Sequence, residues 1–136
     1  MKRNATAVWK GTLKEGNGKL TTQSKVLDNT QYSFKTRFED GIGTNPEELV
    51  AAAHSGCFTM QIAAYLWEEN YDIENIETKC EINLVDLLIV GSHLKVEAKI
   101  KGITDEKFQE IVKKAEKNCL ISKLYNTDIT SEATLL

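Results

Sequence analysis

Leu49-Val50-Ala51-Ala52-Ala53-His54-Ser55-Gly56-Cys57-Phe58-Thr59-Met60-Gln61-Ile62-Ala63-Ala64 decides the fold, because no formal charge falls anywhere between Glu48 and Glu68. Small residues (Ala, Ser, Gly) alternate with large apolar ones in a pattern that suits a helix. The start is marked too. Asn45 can cap the helix with Pro46 at its first position, and Glu48 lies three residues after the cap, a capping-box arrangement. The spacing predicts a helix from Pro46 to about Glu69. A helix apolar on nearly every face is normally buried on nearly every face. A monomer of 136 residues struggles to surround it, so a second subunit is expected to complete its burial.

Outward from this helix, the first third reads as β. Stretches 4–13, 18–27 and 31–38 are separated by the turn formers Glu15-Gly16-Asn17-Gly18 and Asp28-Asn29-Thr30, which points to a three-stranded meander. Beyond the helix, Ile76, Thr78, Cys80, Ile82 and Leu84 alternate with Glu77, Lys79, Glu81 and Asn83. Leu94, Val96, Ala98 and Ile100 alternate with Lys95, Glu97, Lys99 and Lys101. Gly91-Ser92 is the expected turn between these two strands. Thr104 caps a second helix whose stripe is Phe108, Ile111, Val112, Ala115 and Cys119, and a strand over about 126–135 ends the chain. The order βββ-α-ββ-α-β indicates an α+β class with antiparallel sheet. At this length a single domain spanning 1–136 is expected.

Composition narrows the function. Apolar residues are 41% and charged residues 27%, with a net charge of −3, an ordinary soluble profile. Lys95, Glu97 and Lys99 alternate in sign, and no basic cluster suggests nucleic-acid binding. No run is read as a bilayer span, and Met1 to Gly11 lacks the apolar stretch of a signal peptide. No membrane association and a cytoplasmic location are therefore expected. Three cysteines, Cys57, Cys80 and Cys119, make an odd count without CxxC spacing, which argues against a secreted disulfide framework. Only His54 and His93 could join them as ligands, so no metal site is expected. Thiol chemistry or inert packing remains.

The three thiols differ in setting. Cys80 sits on the inward face of a strand and reads as a small buried hydrophobe. Cys57, mid-helix, is either a small residue at a close helix contact or a reactive thiol. Burial opposes the thiolate, and the helix N-terminus is more than two turns away. A reactive Cys57 therefore demands a cation from elsewhere in the fold. Cys119, at the end of the second helix, fits packing, or a thiol that waits protonated and then resolves an oxidised partner. His54, one turn before Cys57, reads as a packed, hydrogen-bonded histidine more readily than as half of a catalytic dyad.

Thr36-Arg37-Phe38-Glu39-Asp40-Gly41-Ile42-Gly43-Thr44-Asn45-Pro46-Glu47-Glu48-Leu49, continuing through Ala53-His54-Ser55-Gly56-Cys57-Phe58, resembles the signature of the OsmC/Ohr family. These are the osmotically inducible and organic hydroperoxide resistance proteins. Lys114-Ala115-Glu116-Lys117-Asn118-Cys119-Leu120-Ile121-Ser122-Lys123 is similar to the family's second cysteine motif. The resemblance covers essentially the whole chain and looks closer to the OsmC branch. It implies an intertwined homodimer in which antiparallel sheets wrap long central helices, with active sites at the subunit interface. It implies peroxidatic Cys57, resolving Cys119, Arg37 as the cation and Glu47 orienting it. One departure is Leu120, where the family often has proline. No resident cofactor is implied, and the reductant would be an external dithiol, possibly of lipoyl type.

The expected function is thus reduction of organic hydroperoxides to alcohols through a Cys57 sulfenic acid and a Cys57–Cys119 disulfide. Phe58, Met60, Ile62 and Leu49 near Cys57 would favour an alkyl tail, at about 0.8 kcal/mol per buried methylene. Glu47 and Cys57 are ten residues apart, roughly 15 Å along an unbroken helix, so either Arg37 bridges them, the helix breaks, or the partner subunit supplies a group; a site built from two chains is the preferred reading. The alternatives are a non-enzymatic protein of the same fold binding a small apolar ligand in the interface pocket, and an interaction protein whose helix serves only dimerisation.

Overall fold

The computed structural model describes residues 1–136, which form two compact units, Met1–Leu49 and Val50–Leu136. In the first, β1 (Ala5–Lys10), β2 (Asn17–Thr22) and β3 (Thr30–Tyr32) make an antiparallel meander. Trp9 pairs with Gly18, and Gly18 with Tyr32. The Trp9 and Tyr32 rings lie 5.5 Å apart. A Cβ on Gly18 would come within 2.2 Å of the Tyr32 ring, so the aromatic pair requires glycine beneath it. The first reversal occupies residues 11–16, ahead of the expected Gly16-Asn17-Gly18 turn, since Lys10 already pairs with Asn17.

The expected third strand over 31–38 is mostly not a strand. β3 ends at Tyr32, and Ser33 caps a short helix, α1 (Phe34–Phe38). The Ser33 hydroxyl accepts from the Thr36 N–H at 3.2 Å, and the Thr36 hydroxyl oxygen accepts from the Ser33 N–H at 2.8 Å. This reciprocal cap overrides the β preference of the aromatic residues around it. α2 (Pro46–Glu68) begins as the sequence indicates, with Asn45 Oδ1 accepting from the Glu48 N–H at 2.8 Å. Glu48 turns its carboxylate to the Thr44 hydroxyl instead of closing the capping box.

The second unit holds most of α2, a sheet and two further helices. β4 (Asp72–Val85) and β5 (Leu88–Lys101) form an antiparallel hairpin, with β6 (Asp128–Leu135) on the other side of β5. Two findings differ from expectation. The hairpin turns at Asp86-Leu87, both at positive φ (49° and 64°), as a two-residue turn matching strand twist demands. Gly91 and Ser92 lie buried inside β5. And β6 runs parallel to β5, so the sheet is mixed. α3 (Asp105–Asn118) and α4 (Leu120–Leu124) carry the chain back between the two strands, which is what a parallel pair needs.

The core combines Phe58, Ile62 and Leu66 of α2, Leu94, Val96, Ala98 and Ile100 of β5, and Phe108, Ile111, Val112 and Ala115 of α3. α2 thus buries one stripe, His54-Phe58-Ile62-Leu66, at four-residue intervals. Its opposite side leaves Met60 and Trp67 at 74% and 77% exposure, with Ala53, Gly56 and Ala64 also exposed. At 23 residues α2 is long and apolar enough in composition to cross a bilayer, which corrects the expectation that no run qualifies. Its buried stripe, however, is packed into a core built by its own chain.

Truncating the largest core side chain on α3, Phe108→Ala, is expected to cost about 3–5 kcal/mol, read as a lowered denaturant midpoint at unchanged slope. Replacing Leu87 by Gly relieves a left-handed non-glycine residue and is expected to stabilise the hairpin by about 1 kcal/mol. A fall in thermal midpoint for Leu87→Gly contradicts the turn assignment.

Candidate active site

Cys57 and Cys119 meet in the second unit. Cys57 lies on α2 one residue before the buried Phe58, and is itself half-buried. Cys119 follows the α3 stripe into the core and is fully buried. The expected position at a helix C-terminus is only half the picture. The backbone leaves α3 at Cys119 (ψ 132°) and starts α4 at once, so Cys119 ends one helix and opens the next. Leu120 is then the first residue of α4, a position where proline, lacking an N–H, is equally at home. The Cys119 thiol donates to the Cys57 sulfur at 2.9 Å, and no disulfide joins them. Burial raises the Cys119 pKa most, and the bond to Cys57 raises it further. The Ser122 and Ile121 N–H groups and the Ser122 hydroxyl act in the opposite direction. At neutral pH Cys119 therefore holds its proton and points it at Cys57.

Around the pair is a buried polar chain. His54, fully buried one turn before Cys57, makes two hydrogen bonds: Nδ1 to the Ser92 hydroxyl at 2.7 Å and Nε2 to the Ser122 hydroxyl at 2.9 Å. Burial lowers its pKa, which keeps the imidazole neutral. It is the packed, hydrogen-bonded histidine expected from the sequence, with both ring nitrogens bonded. Tyr125 sets its ring edge against His54 at 5.2 Å and donates its hydroxyl to the Val50 carbonyl at 3.1 Å. Burial raises the Tyr125 pKa, with smaller effects from Cys80, Cys119 and Cys57. Cys80, half-buried on β4, lies 3.3 Å from the Ser92 hydroxyl. Its pKa is raised chiefly by burial, in keeping with an inert thiol. Ser92, Ser122 and Tyr125 were not anticipated. Ser92 lies inside β5 because the hairpin reverses at Asp86-Leu87 and not at Gly91-Ser92.

Arg37 and Glu47 meet in the first unit. Arg37 sits on α1, not on a strand. Its Nε donates to Glu47 Oε1 at 2.8 Å, and its terminal nitrogen approaches the same oxygen at 2.7 Å. Both donors converge on one oxygen, so the pair is not a two-oxygen fork. Glu47 Oε2 is buried without a partner. The guanidinium also lies 5.1 Å from the Phe38 ring centre. With the Arg37 side chain 41% exposed, the pair contributes little stability, about 0–1 kcal/mol. What it fixes is the direction of the guanidinium. A recess of about 250 Å³ lies beside it, walled by Trp9, Tyr32, Phe34, Phe38 and Pro46. The four site residues predicted from sequence thus occur as two pairs, one in each unit.

Residues 39–133 match the family described as OsmC-like protein. The chain is 37% identical to the peroxiredoxin OsmC of Escherichia coli (strain K12), over 98% of this chain and 96% of that protein. It is 31% identical to the organic hydroperoxide resistance protein OhrB of Bacillus subtilis (strain 168), over 85% of this chain and 88% of that one. Against the crystal structure of the B. subtilis OhrB the TM-score is 0.71 at 26% identity, covering 96% and 98% of the two chains. The OsmC-like protein of Mycoplasma pneumoniae, at 12% identity, shares the fold with a TM-score of 0.78 over 100% and 98%. A match over most of the sequence, together with relatives above 30% identity, places the chain in the OsmC-like protein family.

Proposed function

We propose that this protein is a cytoplasmic thiol peroxidase that reduces organic hydroperoxides to alcohols. The observation that carries the reading is the 2.9 Å approach of the Cys119 and Cys57 sulfurs, one protonated and pointing at the other. The names of the relatives, a peroxiredoxin and an organic hydroperoxide resistance protein, support the reaction class. In the first step the Cys57 thiolate attacks the terminal peroxide oxygen. The O–O bond breaks, the alkoxide leaves and takes up a proton, and Cys57 becomes a sulfenic acid. In the second, the Cys119 sulfur attacks Cys57, the S–S bond forms, and hydroxide departs with the Cys119 proton as water. An external dithiol then reduces the disulfide.

Arg37 is the cation assigned to Cys57 and to the peroxide oxygen, and Glu47 is its orienting partner. The support here is the preset direction of the guanidinium; the assignment itself comes from the family resemblance. An apolar recess beside a charged arginine suits a substrate with an alkyl tail better than hydrogen peroxide. The protein is further proposed to act as a homodimer. The exposed stripe Ala53, Gly56, Met60, Ala64 and Trp67 runs the length of α2 at spacings of three and four, an apolar helix face of the kind that packs against another helix.

Cumene hydroperoxide should be consumed faster than hydrogen peroxide in the presence of a dithiol, and Cys57→Ser should abolish the activity; equal rates for the variant and the wild type end the peroxidase reading. Cys119→Ser is expected to react once and then stall or over-oxidise, measured as sulfinic acid by mass spectrometry. Arg37→Met removes a charged donor worth about 1.5–3 kcal/mol, a fall of roughly 10- to 150-fold in kcat/KM. In sedimentation the wild type should run at twice the chain mass and Met60→Glu at the monomer mass. A monomeric wild type excludes the dimer.

A further inference from the structure

The recess beside Arg37 is lined by two pairs of aromatic rings. Trp9 and Tyr32 stand opposite each other across the central strand β2, with Gly18 between them. A Cβ on Gly18 would strike both rings, so its absence lets them close over the strand as a tilted pair, 5.5 Å between centres. The Trp9 indole N–H donates to the Gly11 carbonyl at 3.1 Å, which fixes the plane of the ring. Phe34 and Phe38, one turn apart on α1, form a second tilted pair at 4.9 Å, and Pro46 completes the lining. None of these rings is fully buried, so aromatic surface stays open in the recess.

Polar groups there are few. Ser33 lines the recess, but its hydroxyl is committed to the cap of α1. Arg37 is the charged group. A guanidinium carries five N–H donors. Glu47 Oε1 engages the Nε–H and one terminal nitrogen, which leaves the other donors for a ligand. The guanidinium lies 5.1 Å from the Phe38 ring centre, so hydrogen-bond donors adjoin an aromatic wall.

We propose that this recess is the tail subsite for the hydroperoxide and selects substrates whose –OOH group stands on the carbon next to an aromatic ring, with Trp9 as the specificity-determining residue. The proposal rests on the peroxidase reading and narrows its substrate class. An aromatic guest among aromatic walls gains about 2- to 12-fold beyond the burial of its area, whereas a saturated tail gains by area alone. Size acts in the same direction. At about 250 Å³ the recess is smaller than the roughly 300–1,000 Å³ of a drug-sized site. A ring with one short branch fits it, and a long alkyl chain leaves most of its methylenes in water. One carbon between ring and peroxide also matches the short step from the Phe38 ring to the guanidinium.

The deciding quantity is kcat/KM for cumene hydroperoxide divided by that for tert-butyl hydroperoxide, which has a methyl group where the first has a phenyl ring. A loss of folded enzyme lowers both values and leaves the ratio alone. Trp9→Leu, apolar but without a ring, should lower the ratio about fivefold, inside the range for one aromatic pair. Trp9→Phe should hold it within about twofold of wild type. Wild type should also favour cumene hydroperoxide over decyl hydroperoxide. In ligand-observed NMR the unreactive product 2-phenylpropan-2-ol should bind wild type, and Trp9→Leu about fivefold more weakly.

An unchanged ratio in Trp9→Leu overturns the proposal, and so does a higher kcat/KM for decyl than for cumene hydroperoxide. Failure of wild type to bind 2-phenylpropan-2-ol overturns it too, the result expected if a side chain of a second copy fills the recess. If Trp9→Leu does not fold, Phe34→Leu takes its place with the same drop expected. A protein that binds the alcohol through Trp9 but consumes no hydroperoxide refutes the peroxidase reading and upholds the recess as a site for aryl ligands.

Discussion

One helix stripe supports everything else in the second unit. His54, Phe58, Ile62 and Leu66 face inward from α2 at four-residue intervals, against Leu94, Val96 and Ala98 of β5 and the apolar side of α3. Packing at interior density lets such a stripe neither slide nor rotate without opening voids. Cys57, next to Phe58, therefore has its azimuth set by the core. Cys119 is the terminal member of the α3 stripe and is fixed by the same contacts. The 2.9 Å sulfur contact is a by-product of core packing, with no loop having to deliver either thiol. A site held by helices against a sheet is more accurately placed than one carried on loops.

The same stripe explains why the two cysteines have different characters. Cys119 is fully buried, and desolvation dominates its pKa. Cys57 is shifted around the helix toward the half-exposed side. Proximity joins them and burial tells them apart. Reactive thiols sit in partly exposed settings, whereas fully buried ones are inert. The asymmetry follows from helical geometry alone, since Cys57 and Phe58 are adjacent residues separated by about 100° around the axis.

Much of this was legible in the sequence, for identifiable reasons. The start of α2 was readable because Asn45 and Pro46 act through local backbone chemistry. β4, β5 and the α3 stripe were readable because period two and period 3.6 are plain in them. The readings failed where the deciding interaction was short-range but unusual, or long-range. The Ser33 and Thr36 cap turned the last part of a supposed strand into α1 and moved Arg37 onto it. The Asp86-Leu87 turn was missed because neither residue is glycine or asparagine, while Gly91-Ser92 offered a better turn by composition. That single error hid Ser92 from the site. The parallel course of β6 is a property of chain return through α3 that no local pattern encodes. The Arg37–Glu47 and Cys57–Cys119 pairs span ten and sixty-two residues. Family resemblance named their members, and neither contact could be obtained from periodicity.

The polar members of the core are the informative exceptions. In a stripe otherwise made of Phe58, Ile62 and Leu66, a fourth apolar residue would pack without desolvating an imidazole. His54 instead brings two ring nitrogens into a place with no water, which costs free energy unless both are bonded. Both are, by Ser92 and Ser122 on two different elements. Two neutral hydrogen bonds return only about what the burial of the polar ring consumes, so stability gives no reason to prefer histidine over leucine there. What the arrangement adds is orientation. It ties α2 to β5 through Ser92 and to α4, the short helix that opens at Cys119, through Ser122.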